Sequence, residues 1–90
     1  MNNDSKVIDY LLKRIHEYKS GTITKEEFYE KAGKLVSSLK KRTDNAELAE
    51  ILYDWLPDVC LFYIDEEDDE RSFRKEIENI ELHLRNICNL

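Results

Sequence analysis

Six consecutive carboxylates form the strongest chemical feature of this sequence: Asp65, Glu66, Glu67, Asp68, Asp69 and Glu70, here called the acidic run. The other acids number 14 (20 − 6) and balance the 14 Lys and Arg, so the run accounts for the whole net charge of −6. An acid at a helix N-terminus contributes only ~0.3–1 kcal/mol, and only within the first turn. Six exceed that need, and such a block attracts positive charge. A solvated loop that keeps the protein soluble is the alternative.

Metal chemistry fits this sequence poorly. If Asp65 is position 1 of a calcium-binding loop, position 6 is Glu70, where the sharp turn requires Gly. The candidate zinc ligands lack the close paired spacings of a tetrahedral site; they are His16, Cys60, His83 and Cys88. We expect reduced cysteines that serve as small core hydrophobes, partly exposed histidines, and no metal or cofactor.

The sequence also gives no sign of catalysis or of nucleic-acid binding. It contains no Gly-rich phosphate loop and no Ser in an elbow-like setting, so we expect a protein that is not an enzyme. Residues 1–45 carry ten bases and seven acids, whereas residues 46–90 carry four and thirteen. Phosphate contacts need Lys and Arg, so the acidic second half favours a basic protein partner over nucleic acid. The basic residues at 40–42 fit the negative end of a helix dipole.

Aromatic residues precede the acidic run within a few helical turns. Trp55 and Phe62 fit the predicted core stripe of their helix, whereas Tyr53 and Tyr63 fall off it. Tyrosine beside acid is typical of an interface hot spot. The predicted partner-binding residues are therefore Tyr53, Asp54, Asp58 and Tyr63, together with the six residues of the acidic run.

Two helices are predicted before residue 43. The first begins at Asp4 or Ser5 and runs to about Lys19, and the residues at 20–22 end it because Gly21 accepts a left-handed turn. The second is predicted to begin at Thr24, which forms a capping box with Glu27 and a hydrophobic staple between Ile23 and Phe28. Its apolar face continues through Leu39 to the basic residues 40–42.

Two further helices complete the predicted fold. The third begins at Thr43 or Asp44, with Glu47 at the box position, and Pro57 predicts a kink or break near Leu56. The fourth follows the acidic run and carries the stripe Phe73, Ile77, Ile80, Leu84 and Ile87. Short connections favour antiparallel neighbours. We predict one all-α domain over residues 1–90, an antiparallel four-helix bundle, without a membrane span or signal peptide and hence cytosolic.

The segment Ser20-Gly21-Thr22-Ile23-Thr24-Lys25-Glu26-Glu27-Phe28 lies between two amphipathic helices, and an aromatic-to-acidic stretch precedes the last helix. In these features the chain resembles the colicin D immunity proteins. The resemblance implies a small acidic helical bundle that binds the nuclease domain of a tRNA-cleaving, bacteriocin-type toxin made by the same bacterial cell. It further implies that an acidic surface, here Asp58 and the acidic run with its aromatic neighbours, mimics the tRNA backbone and covers the active site.

Charge alone supports the same interpretation and leaves two alternatives. A nuclease holds phosphates with Lys and Arg, so carboxylates can occupy the same site and accelerate association. We expect a monomer that forms a 1:1 complex, without a membrane or direct nucleic-acid contact. The alternatives are a regulatory or adaptor bundle, such as a phage-type inhibitor or nucleic-acid mimic that binds another basic protein, and a homodimer.

Overall fold

Four helices form the fold in a computed structural model that describes residues 3–39, 43–63 and 70–88. They are α1 (Asn3–Lys19), α2 (Lys25–Ser38), α3 (residues 46–63, in the stretches Ala46–Glu50, Ile51–Trp55 and Leu56–Tyr63) and α4 (Glu70–Cys88). This part of the chain contains no strand, and the predicted four-helix bundle is confirmed. None of its helices combines the length and hydrophobicity needed to cross a bilayer.

Local signals set the turn between α1 and α2 as predicted. Gly21 adopts a positive φ of 83°, and the amide of Thr22 donates to the carbonyl of Glu17 at 2.8 Å. The Thr24 hydroxyl accepts from the Glu27 amide, and the Glu27 carboxylate accepts from the Thr24 amide, both at 3.1 Å. The predicted capping box is therefore confirmed. Helix α2 ends at Ser38, and the basic residues 40–42 lie outside the described residues.

Helix α3 begins later than predicted. Its N-cap is Asn45, whose side chain accepts from the amide of Leu48 at 3.0 Å, so the predicted cap at Thr43 or Asp44 is wrong. Thr43 instead donates to a carboxylate oxygen of Asp4 at 2.7 Å and accepts from the Asn45 amide. Because Thr43 is occupied in tying the chain to α1, the cap moves to Asn45.

A π-helical stretch over Ile51–Trp55 precedes Pro57 in α3. The amide of Leu56 donates to the carbonyl of Ile51, five residues back instead of four. Proline has no amide hydrogen and its ring crowds the preceding turn, which such a wider turn accommodates. The predicted kink is present, and the chain stays helical through it.

The π-helical stretch rotates the rest of α3 by about one residue. A strict helical period predicted Phe62 in the core, but Phe62 is 69% exposed, so that prediction is wrong. Tyr63 takes the inward position, with its ring 6.1 Å from that of Phe73, and Leu56 and Cys60 are buried. Trp55, also predicted in the core, is partly buried against it.

The core joins all four helices, and the predicted stripe of α4 is buried at every position, from Phe73 to Ile87. Tyr18 at the end of α1 packs edge-on against Phe73 near the start of α4, with ring centroids 5.3 Å apart, as antiparallel neighbours require. Cys60 is buried as predicted. Cys88 is exposed, contrary to the prediction, because it follows buried Ile87 by one residue and so points about 100° away from it.

Candidate functional site

One buried lysine holds both ends of the segment that carries the acidic run. The capping box places Lys25 as the first residue of α2, where it is only 6% exposed. Its Nζ donates to the carbonyl oxygen of Tyr63 at 3.0 Å and lies 3.7 Å from Oε2 of Glu70. We call these contacts the lysine clamp. The run's other members, Asp65 to Asp69, lie outside the described residues, between the two residues that the clamp holds.

Glu70, the last member of the acidic run, has an anchoring contact of its own. The Tyr18 hydroxyl donates to Glu70 Oε1 at 2.7 Å. Burial raises the pKa of Tyr18, and the neighbouring Glu70 carboxylate raises it further, so the phenol remains a donor. The Glu70 side chain is nevertheless 54% exposed. It therefore fixes the start of α4 while still contributing negative charge to the surface.

An aromatic cluster lies beneath the clamp. The ring of Phe73 packs edge-on against those of Tyr18, Phe28 and Tyr63, at centroid distances of 5.3, 6.4 and 6.1 Å. Such arrangements suit the charge distribution of aromatic rings. Phe62 packs on Tyr63 from outside, with centroids 4.8 Å apart. An exposed aromatic ring on a well-packed base thus precedes the acidic run.

A second set of acids lies along α3, and sequence reasoning identified only half of it. Asp54 and Asp58, predicted as partner-binding residues, are exposed. Glu47 and Glu50 were missed, but they are exposed too and precede them at helical spacing. These four residues, here called the α3 stripe, form no ion pair with a described residue.

The signal that reveals the α3 stripe is the absence of bases, not the presence of adjacent acids. Residues 43–70 contain 11 acids, of which six form the acidic run, and no Lys or Arg. The balanced total for the rest of the chain conceals this, because the compensating bases lie before residue 43 or after residue 70. The acidic run is therefore not the single source of negative surface that its share of the net charge indicates.

Trp55 anchors the other side of α3. Its indole N–H donates to Glu76 Oε2 at 3.3 Å, and its ring lies 4.9 Å from that of His83 in an edge-to-face arrangement. Glu47 and Glu50 line the same shallow pocket of about 140 Å³. A fixed aromatic ring with two carboxylates suits a Lys or Arg side chain. Tyr53, also predicted to bind a partner, is partly buried against the core.

A larger cavity of about 520 Å³ lies beside the clamp, between the α1–α2 turn and the start of α4. Its lining charges serve internal contacts. Arg74 donates to the carbonyl of Lys19 at 3.0 Å, and the ammonium group of Lys19 lies 3.0 Å from Oε1 of Glu81. Burial acts to raise the pKa of Glu81, but Lys19 and Arg85 outweigh it and hold that pKa below its usual value. These contacts fasten α1 to α4 and leave the cavity with mixed charge.

The arrangement is suited to recognising positive charge. Within the described residues, no three His, Cys, Asp or Glu side chains come together as a metal site. Burial raises the pKa of the Cys60 thiol to about 12, so it is not a thiolate at neutral pH. The exposed carboxylates of α3, next to Phe62, offer charge and apolar area to a basic protein surface. No protein-family model, curated protein or solved structure matches this chain.

Proposed function

We propose that this protein is an immunity-type inhibitor that binds a basic nuclease domain, that of a tRNA-cleaving toxin, through the α3 stripe and the acidic run. The observation that carries the proposal is the 28-residue stretch 43–70, which has 11 acids and no base. The α3 stripe exposes four of these acids, and the acidic run begins two residues after clamped Tyr63.

Geometry supports a role as a charge array. The α3 stripe extends from Glu47 to Asp58, which is about 16 Å along the axis at 1.5 Å per residue. A helix holds its carboxylates at fixed spacing, so little conformational entropy is lost when a basic surface binds them. Complementary charge raises association rates toward 10⁸–10⁹ M⁻¹s⁻¹ at low salt, and rapid capture matters when the target is a toxic nuclease.

Apolar contacts would prolong the complex. Phe62 and Leu61 are 69% and 62% exposed, and they adjoin the acidic run. Aromatic side chains next to charge are frequent hot spots at interfaces, where their burial slows dissociation. The proposed inhibitor therefore combines electrostatic capture along α3 with an apolar anchor at its C-terminal end.

Removing charge without changing shape tests this proposal. Asp54→Asn with Asp58→Asn removes two charges of the α3 stripe, and Asp65→Asn with Glu67→Gln and Asp68→Asn removes three from the acidic run. The matched control, Asp9→Asn with Glu78→Gln, removes two exposed carboxylates from α1 and α4. Each variant is assayed for binding to the nuclease domain encoded beside this chain's gene, across a salt series, and for protection of cells.

The two site variants should fold normally but bind the nuclease domain at least tenfold more weakly, with a shallower salt dependence. The control should bind as the unchanged protein does. Full protection by both site variants would show that these acids are bystander surface. Binding to a different basic protein, without any to the nuclease, would favour the regulatory or adaptor bundle.

A further inference from the structure

An apolar groove of about 210 Å³ lies between α2 and α3, on the side of α3 away from Trp55. Its lining residues are Tyr29, Ala32, Val36, Leu56, Pro57 and Cys60. The groove is smaller than the ~300–1,000 Å³ typical of small-molecule sites. Its volume suits a side chain from a protein rather than a free ligand.

Two backbone features keep the groove open. Gly33 of α2 borders it, and a Cβ atom built there meets no atom within 4 Å. On the opposite wall, Pro57 follows the π-helical stretch and contributes a short side chain. The two helices therefore face each other across Gly33 and Pro57 without filling the space between them.

The exposed charges that flank this groove are mostly negative. On α3, Asp54 and Asp58 lie three residues before and one after Pro57, and both are exposed. On α2, Glu26 and Glu30 precede Gly33 by seven and three residues, which places them along the same face. Lys34 pairs with Glu30 at 3.2 Å, which neutralises one of these acids.

The charge pattern also decides between a partner and a second copy. Two copies that met on this face would bring together two α3 helices, each with four acids and no base. Like charges across an interface oppose association. A segment with Lys or Arg beside its apolar residue would instead complement both walls.

We infer that this groove binds an apolar side chain of the basic partner protein, on a segment whose flanking residues are Lys or Arg. The inference rests on the proposed function insofar as the partner is the same basic protein. It adds a contact site that depends on shape and apolar burial. The groove would select among basic surfaces that the acids alone cannot distinguish.

Designed peptides test the groove directly. The probe is a helical peptide with Lys on its polar face and two Leu residues on the other, and a second peptide replaces both Leu by Ser. In ¹⁵N-resolved NMR titrations the Leu peptide should shift the amides of Gly33 and Cys60 and bind at least tenfold more tightly than the Ser peptide. Equal affinities, or shifts confined to other helices, would overturn the inference.

A plugged groove provides the second test. Gly33→Leu places apolar atoms in the open space, and a melting temperature at or above that of the unchanged protein verifies that the variant folds. Asn86→Leu adds the same side chain to an exposed position of α4 as the matched control. The plug should weaken the Leu peptide about tenfold and leave the Ser peptide unchanged. An unchanged Leu peptide affinity, or a dimer in sedimentation that the plug dissociates, would overturn the inference.

The two proposals fail in distinguishable ways. If the groove is inert, Gly33→Leu leaves nuclease binding intact while the Asp54→Asn, Asp58→Asn variant still weakens it. If the nuclease is not the partner, no nuclease binding occurs, yet the Leu peptide still shifts Gly33.

Discussion

Replacing Lys25 with Met tests whether the lysine clamp stabilises the fold as well as the acidic segment. Methionine keeps an unbranched chain of similar bulk and removes the ammonium group. Two contacts are lost: the hydrogen bond to the Tyr63 carbonyl at 3.0 Å and the ion pair with Glu70 at 3.7 Å. A hydrogen bond with a charged partner contributes ~1.5–3 kcal/mol. Because this one is partly buried, we expect a value near the lower end, about 1.5 kcal/mol.

The ion pair should contribute little to that loss. The Glu70 side chain is 54% exposed, and exposed pairs contribute about 0–1 kcal/mol. Lys34→Met is the matched control, since Lys34 pairs with Glu30 at the shorter distance of 3.2 Å. Those two side chains are 76% and 66% exposed, so their loss should cost only ~0.3–0.5 kcal/mol. Burial, not ion-pair distance, should therefore rank the two variants.

Urea unfolding followed by far-ultraviolet circular dichroism measures the difference. With a denaturant slope of ~1–3 kcal/mol/M, a loss of about 1.5 kcal/mol lowers the midpoint by about 0.5–1.5 M. Equal midpoints for Lys25→Met and Lys34→Met would refute the reasoning. That result would show that Lys25 contributes no more than an exposed pair does.

Three further outcomes are expected. Gly33→Ala should raise the free energy of unfolding by ~0.4–1 kcal/mol, because Gly33 is helical and its added Cβ meets open space; a lower melting temperature would contradict this. Glu81 has a folded-state pKa below its ordinary value, so its contribution is present above the unfolded-state pKa and lost as pH falls through the folded-state pKa. Melting curves should accordingly show Glu81→Gln less stable than the unchanged protein at pH 7, with the gap closing in acid; a constant gap would count against the pair with Lys19. A thiol reagent should modify exposed Cys88 in the folded protein and buried Cys60 only after unfolding, as mass spectrometry of labelled peptides will show.

Three of the four helices were predictable because their signals are local. The Thr24–Glu27 capping box and Gly21 lie within a few residues of the helix ends that they fix. The five-residue stripe of α4 repeats at regular spacing, so its buried face follows from sequence alone. Thr43 shows where local reading stops. Its hydroxyl contacts Asp4, 39 residues away, and that contact moves the α3 cap to Asn45.

The site was only partly predictable, for two physical reasons. Contiguous acids are conspicuous in a sequence, whereas Glu47 and Glu50 are separated by apolar residues and become one surface with Asp54 and Asp58 only on a helix. The lysine clamp depends on contacts across 38 and 45 residues, which no local pattern reveals. A lysine in the first turn of a helix ordinarily indicates solvent exposure, and here it is buried.

The π-helical stretch of α3 connects the fold error to the proposed function. A regular helix would turn Phe62 inward and Tyr63 outward, as the sequence period predicted. The extra residue in the turn before Leu56 reverses them, so that the Tyr63 ring joins Phe73 while its carbonyl accepts from Lys25. It also leaves Phe62 exposed next to the acidic run. Irregular helical turns often occur at functional sites. In this protein the irregular turn links a tied-down segment to an outward aromatic anchor, and a binding surface needs both.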